Sequence, residues 1–365
     1  MEFIKVKDIC DIKTGKYDAN HSKEDGKYKF FTCALLPMKA DTYSFDGKLV
    51  MLPGNGANLG EVMYYEGKIE AYQRTYVLHN INIEAKFLYY FLKLNWKKYI
   101  LRRQIGSATN YMKLEDILNF EVPNISLDMQ KKIIDILDGA QRLIDKRKKQ
   151  IEELDLLVKS KFIEMFGNPV SNPKGWEKVA LIDLGELARG KSKHRPRNAP
   201  ELMNGPYPLI QTGDVANAGI YIKEYTQTYS ELGLQQSKMW KAGTLCITIA
   251  ANIAKTTILT FDACFPDSIV AFIPNEKTNT MFIQFWMSFL QKILEDSAPE
   301  SAQKNINLKI LGEQRVIVPP IELQNQFAEF VKQVDKLKFE MEKSLKELEN
   351  NFNSLMNKAF KGELF

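Results

Sequence analysis

The chain has 365 residues, 45% hydrophobic and 26% charged, which suits a folded protein with room for two or three domains. Its net charge of +5 is only mildly basic, so the placing of the cations says more than their sum. No apolar run approaches the roughly 20 residues of a membrane span. "MEFIKVKDIC" lacks the basic head and apolar stretch of a secretory leader. A cytoplasmic chain with no membrane partner is expected. Cys10, Cys33, Cys246 and Cys264 lie far apart, and His21, His79 and His194 do not cluster with them. Free thiols and no metal site follow from that spacing.

In chain order, "FIKVKDICDIKTGK" (3–16) alternates and closes on a Gly-Lys turn that carries Lys13 and Lys16. Lys48 to Leu52 and Ile69 to Leu78 read as strands. Between them "PGNGANLG" (53–60) holds Asn55 and Asn58. A dinucleotide fingerprint needs a helix after such glycines. Here "EVMYY" follows, which reads as another strand, so a turn is predicted. Residues 85–105 read as a helix whose end, "KLNWKKYILRR" (93–103), includes Arg102 and Arg103; Asn110, Tyr111 and Lys113 come next.

A long charged segment follows "VPNISLDMQ" (122–130). Its seam runs Ile133, Leu137, Ala140, Ile144, Arg147, Ile151, Leu154, Val158, Lys161 and Met165, in alternating steps of four and three. That 3.5-residue repeat marks a coiled coil. Ser126 or Asp128 is placed to cap the helix, and Gly167 with Pro169 to end it.

The second half repeats this order. "WEKVALIDLGELARGK" (176–191) opens it, and "RGKSKHRPR" sets Arg189, Lys191, Lys193, His194, Arg195 and Arg197 together with no acid among them. "GPYPLIQT" (205–212) parallels "GKYKFFT" (26–32) and ends in Gln211 and Thr212. "AGTLCITIAANIAKTTI" (242–258), which holds Lys255, parallels residues 47–62. Thr244 to Ile249 and Ser268 to Ile273 read as strands, and 280–294 as a helix. "ESAQKNINLKIL" (300–311), with Gln303, Lys304 and Asn305, parallels "GSATNYMKLEDI" (106–117), and "VPPIELQNQ" (318–326) parallels 122–130. Adding 194 to the first seam gives Phe327, Val331, Val334, Lys338, Met341, Leu345, Leu348, Phe352, Leu355 and Ala359, with Leu337 able to stand in for Lys338; Gly362 closes the helix.

The expected fold class is therefore α+β. Two mixed domains form a pseudo-twofold tandem repeat, separated by two long helices that pair as an antiparallel coiled coil. Expected boundaries are 1–124, 125–168, 169–319 and 320–365, alternately domain and helix. No phosphate-loop, nucleophile-elbow or metalloprotease motif is present, nor an Asn/Asp-Pro-Pro-Tyr box. A non-catalytic chain with no cofactor is expected. Two similar domains with basic, amide-rich turns suit a polymer read at two places, and double-stranded DNA is the natural candidate. The rival reading is a coiled-coil structural adaptor without DNA readout.

"FIEMFGNPVSNPKGW" (162–176), "VPPIELQNQFAEFV" (318–331), "SAQKNINL" (301–308) and "NKAFKGELF" (357–365) together resemble the specificity subunits of type I restriction–modification systems, over essentially the whole length. The resemblance implies two target recognition domains, each reading half of a bipartite DNA site, and helices that set the spacer between the halves. It further implies two docked methyltransferase subunits that supply adenine-N6 chemistry, and a restriction and translocation subunit for cleavage. The first domain departs from the second in lacking a run as basic as 189–197.

Overall fold

The computed structural model describes residues 2–103, 110–250, 253–296 and 306–364. The chain divides into two compact units, Met1–Lys149 with Met341–Phe365, and Gln150–Glu340. Each unit thus owns one half of both long helices.

The first unit runs β1 (Phe3–Lys5), β2 (Asp11–Thr14), β3 (Tyr28–Phe31), β4 (Met38–Ala40), β5 (Lys48–Pro53), β6 (Met63–Glu66), β7 (Ile69–Ala71), β8 (Thr75–His79), α1 (Ala85–Leu101), α2 (Leu114–Leu118), β9 (Glu121–Pro123) and the first part of α3 (Leu127–Phe166). An antiparallel sheet has the order β2-β8-β5-β6, and a smaller sheet the order β4-β3-β7. β1 pairs with β9, so the domain is tied shut just before α3 begins. Strand β5 is buried on both faces from Leu49 to Pro53. Val50 and Leu52 join α1 residues Phe87 and Leu88 in one core, while Leu49 and Met51 join Phe31, Ile69 and Ala71 in the other. The two-residue side-chain period sorts one short run between both cores.

The second unit begins within α3 and runs β10 (Lys178–Ala180), β11 (Gly185–Arg189), β12 (Met203–Leu209), α4 (Thr212–Asn217), β13 (Tyr221–Ile222), β14 (Gln227–Tyr229), α5 (Glu231–Gln235), β15 (Met239–Trp240), β16 (Leu245–Thr248), β17 (Thr256–Leu259), β18 (Ala263–Cys264), β19 (Ile269–Pro274), α6 (Thr280–Asp296), α7 (Leu308–Gly312), β20 (Arg315–Ile317) and the start of α8 (Ile321–Lys361). Its larger sheet, β11-β19-β16-β17-β13, is the β2-β8-β5-β6 order with one strand added, and β14-β12-β18-β15 extends β4-β3-β7 in the same way. β10 closes on β20 as β1 closes on β9. The repeat predicted from weak sequence similarity is a repeat of topology.

The long helices behave as the seam predicts. In the first unit Ile133, Leu137, Ile144 and Phe352 are buried together, with Leu345 and Leu348 packed against them. In the second, Leu154, Val158, Phe327 and Val331 are buried, and Ile151 and Met341, the latter in the first unit, are half-buried. Within the second unit Asp155 binds Lys338 at 2.7 Å, and Phe162 and Phe166 meet Phe327 edge to face. The numbers rise on α3 as they fall on α8, so the pair is antiparallel. Ser126 Oγ accepts from Met129 N at 3.3 Å, which makes Ser126 the cap of α3. Gly167 and Gly362 have φ of +78° and +75°, the left-handed turn that ends a helix.

Four expectations need correction. Ile69 to Leu78 is two strands in different sheets, β7 and β8, joined by a turn at 72–74; the exposed pair Gln73 and Arg74 marks the break between them. The helix expected over 85–105 is described only to Leu101 before the chain turns, and 104–105 lie outside the described residues. Leu337 does not stand in for Lys338: it is 47% exposed, while Lys338 lies in the seam and is neutralised by Asp155. Finally, "VPNIS" and "VPPIE" are two residues out of register. The strand pairings set Phe3 opposite Pro123 and Lys178 opposite Ile317, so Ile317, not Pro319, takes the place of Pro123.

Candidate nucleic-acid interface

Strand register brings the chain's basic and amide residues to one end of each sheet. In the first unit β2 ends at Thr14 opposite Tyr76, β8 begins at Thr75 opposite Pro53, and β6 begins near the end of β5. The segments 15–17, 54–62 and 72–74 therefore leave the sheet at the same end. Residues 110–112 are laced to it, because Gly56 N donates to Asn110 O at 3.0 Å and Met112 N to Gly54 O at 3.1 Å. Lys97, in the last turns of α1, binds Glu61 at 2.7 Å.

The second unit repeats this end. β11 stops at Arg189, β16 at Thr248, and β19 starts at Ile269. Ile306 N donates to Ile249 O at 3.0 Å, as Met112 does to Gly54. The Gly-Lys turns also correspond. A Cβ on Gly15 would sit 1.7 Å from Ala71 O, and one on Gly190 2.3 Å from Phe265 O. In both copies the chain leaving β2 or β11 presses on the crossover into β8 or β19, and only glycine fits.

The predicted residues divide into groups. Lys13, Lys16, Arg189, Lys191 and Lys193 are exposed, and among the described residues their charged ends have no hydrogen-bond or ion-pair partner. Arg102 and Arg103 are exposed too; they line a depression of about 640 Å³ with Lys98 and Tyr99, and the Arg103 guanidinium lies 4.6 Å over the Tyr99 ring. Lys113 is exposed, with its backbone N–H donating to Asp116 at 2.9 Å.

Other candidates are engaged inside the protein. The Arg195 guanidinium donates to Ser192 O at 2.6 Å and His194 O at 2.8 Å, folding the loop on itself. Arg197 binds Asp267 at 2.6 Å. The backbone N–H groups of Lys193 and His194 both donate to Gln236 Oε1, and His194 Nδ1 lies 3.2 Å from Pro196 O. Gln211 Nε2 donates to Gln227 at 3.2 Å, and its N–H to Asp214 at 2.7 Å, at the start of α4 where Thr212 sits. Asn58 Nδ2 donates to Cys33 O at 2.8 Å. Lys255 directly precedes the return strand β17 but lines a cleft of about 360 Å³ with Val215, Gln284 and Lys338. Gln303, Lys304 and Asn305 lie outside the described residues.

Sequence reasoning missed the crossover Tyr72–Gln73–Arg74 and Cys33. A cavity of about 330 Å³ in the first unit is lined by Thr14, Asn55, Gln73, Arg74, Tyr76 and Tyr111. Cys33 Sγ lies 3.1 Å from Asn55 Oδ1 and 3.4 Å from Arg74 O, with one proton to give to either, so the thiol sits behind the site. Burial, with Asp116 adding to it, pushes the Tyr76 phenol above its usual range and keeps it a neutral hydroxyl. The misreading of 69–78 as one strand hid Gln73 and Arg74.

Taken together, each unit presents cations with fixed amides at one strand end, the mix that neutralises phosphates and meets base edges.

The family model for the type I restriction modification DNA specificity domain matches residues 1–155 and 173–350, one match for each copy of the repeat. The chain is 28% identical to the type I restriction enzyme EcoDI specificity subunit of Escherichia coli, over 99% of this chain and 88% of that one. In fold it is similar to the type I restriction–modification S subunit of M. genitalium, with a TM-score of 0.57 and 17% identity over 98% of this chain and 96% of that one. A chain from a structure of type I restriction–modification complex assembly and conformational transition gives a TM-score of 0.61 at 16% identity, covering 100% of this chain and 98% of that one. With both copies of the repeat matched, the chain belongs to the type I restriction–modification DNA specificity family.

Proposed function

We propose that this chain addresses a type I restriction–modification complex to a split DNA sequence, each recognition domain reading one half. The domains are taken as 1–124 and 169–319, and the helical spacers as 125–168 and 320–365. The observation that carries the reading is the recurrence of one basic, amide-bearing strand end in two copies of a single topology. Exposed lysines there neutralise phosphates and give salt-dependent affinity. Amide and guanidinium groups select base edges, each good pair contributing on the order of 1–3 kcal/mol of discrimination. The helices set the length of the unread spacer; 40 residues of α3 make a rod of about 60 Å.

The chain supplies the address, and the chemistry belongs to partners. Two methyltransferase subunits dock on the helices and carry out adenine-N6 methylation, and a restriction and translocation subunit joins for cleavage. Leu156, Leu157 and Phe339 support docking: they are large apolar side chains yet are 61%, 47% and 54% exposed on the long helices. The complex works in the cytoplasm, where the cell's DNA is accessible.

The test is methylome sequencing of cells that express the chain with its methyltransferase partner. Adenine methylation at one bipartite motif, lost when the chain is omitted, is the expected result. Methylation independent of the chain sinks the reading. Leu156→Asp with Leu157→Asp should lower co-purification of the methyltransferase at least tenfold, read by pull-down, with the helical circular-dichroism signal unchanged.

A further inference from the structure

The two units solve the same problem with different loops. In the second, the run 189–197 supplies free cations at Arg189, Lys191 and Lys193, while its crossover carries an acid, Asp267, already held by Arg197. In the first, the corresponding stretch 13–27 is less basic, its lysines offset by Asp18, Glu24 and Asp25, and the crossover carries Gln73 and Arg74 instead. Both are exposed, and among the described residues the Arg74 guanidinium has no hydrogen-bond or ion-pair partner.

The backbone beneath them is fixed. Gly54 N donates to Arg74 O at 2.8 Å and Gln73 N donates to Tyr17 O at 2.8 Å, and Cys33 Sγ packs 3.4 Å from Arg74 O. A rigid crossover therefore holds an uncommitted planar fork at the rim of the cavity that Asn55 and Tyr111 also line. The flanking Lys13 and Lys16 are point charges, suited to phosphate. An arginine fork among side-chain amides is suited to a base edge, and its bidentate match is the O6 and N7 pair of guanine. Preorganisation lowers the entropy lost when such a contact forms.

From these observations we infer that Arg74, flanked by Gln73, is the specificity-determining residue of the first recognition domain and takes a guanine in its half of the site. This rests on the DNA-reading function proposed above, and the test separates the two. The full complex, with wild-type chain, Arg74→Ala or Arg74→Lys, is offered a randomised target library, and methylated sequences are read out. Wild-type methylation of a split motif establishes the underlying reading; its absence overturns that reading and this one with it.

Given the wild-type motif, both variants should lose preference for guanine at a single position of one half-site, by about tenfold to a hundredfold. The other half should be unchanged. Lysine keeps the charge and loses the fork, so it should not rescue. Three outcomes overturn the inference: an unchanged motif, a uniform loss of methylation across all sequences as expected of a phosphate contact, or restoration by lysine. Thermal melting of each variant confirms that the exposed substitution leaves the fold intact.

Discussion

Among the arginines and lysines at the strand ends, partnership separates those that hold the loop from those left to meet a ligand. Lys191 and Lys193 are exposed and uncommitted, whereas Arg195 is bound to two carbonyls of its own loop. Each of Lys191→Ala and Lys193→Ala should therefore flatten the plot of log affinity against log salt by about 0.9, one phosphate apiece. Arg195→Ala should leave that slope near the wild-type value and weaken binding by loosening the loop; DNA titrations at several salt concentrations decide it. The thiols divide in a similar way. Burial, reinforced by Asp11, pushes Cys10 up to about 12, and burial raises Cys246 and Cys264 as well. Cys33 is the half-buried one. A thiol reagent at pH 8 should modify Cys33 first, and DNA added beforehand should slow it, because the thiol backs the Asn55 and Arg74 site. The raised folded-state value of Cys10 also has a stability consequence. Its contribution is complete below the unfolded thiol's value, about pH 8.5, and is lost as pH climbs through about 12.

At the element scale, a buried glutamine pins each long helix to its own domain. Gln130 Oε1 accepts from Glu84 N at 2.9 Å, and its Nε2 donates to Ile125 O. Gln324 Oε1 accepts from Thr278 Oγ1 at 2.8 Å and from Asn279 N, and its Nε2 donates to Lys277 O and Pro319 O. Their exposures are 2% and 0%, so each ties the first turn of a rod to the start of a domain helix with little water competing. Replacing either by leucine leaves buried backbone donors and acceptors unmet and should cost about 1–3 kcal/mol. Chemical denaturation should show the loss, larger for Gln324, which makes four bonds. The sequence displayed these glutamines without disclosing the pairing, because the resemblance of "VPNIS" to "VPPIE" matched Gln130 to Gln326, two positions out. Helix seams were legible because a 3.5-residue period survives substitution of any one side chain. Double-faced strands such as β5 were legible as apolar runs, but at Ala71–Thr75 two polar residues, Gln73 and Arg74, fit an exposed strand position as well as a turn, so the change of sheet did not show. The interface residues were legible as types. Which of them was already spent, as Arg197 is on Asp267, depended on contacts made 70 residues apart.

For the molecule as a whole, modular reading is constrained by the first unit's dependence on both ends of the chain. Its core is completed by α8, since Phe87 and Phe91 pack on Phe360 at 5.4 and 5.2 Å and Tyr90 meets Phe352. Tyr90 also donates its hydroxyl to Asp138 of α3 at 2.7 Å, beside the Lys86 ion pair with the same carboxylate. A foreign recognition domain exchanged for residues 1–124 must therefore present the same face of α1 to these helices. A donor with aromatic residues at the positions of Phe87, Tyr90 and Phe91 should fold, assemble with the methyltransferase and change one half of the methylated motif while the other half and the spacer stay fixed. A donor with the same loops but alanine at those three positions removes aromatic burial worth several kcal/mol, about 3–5 per fully buried ring. It should fail at assembly before any question of sequence arises. Methylome sequencing of the first exchange and a melting curve of the second separate the two requirements. A change in both halves of the motif in the first exchange would show that the domains do not read independently.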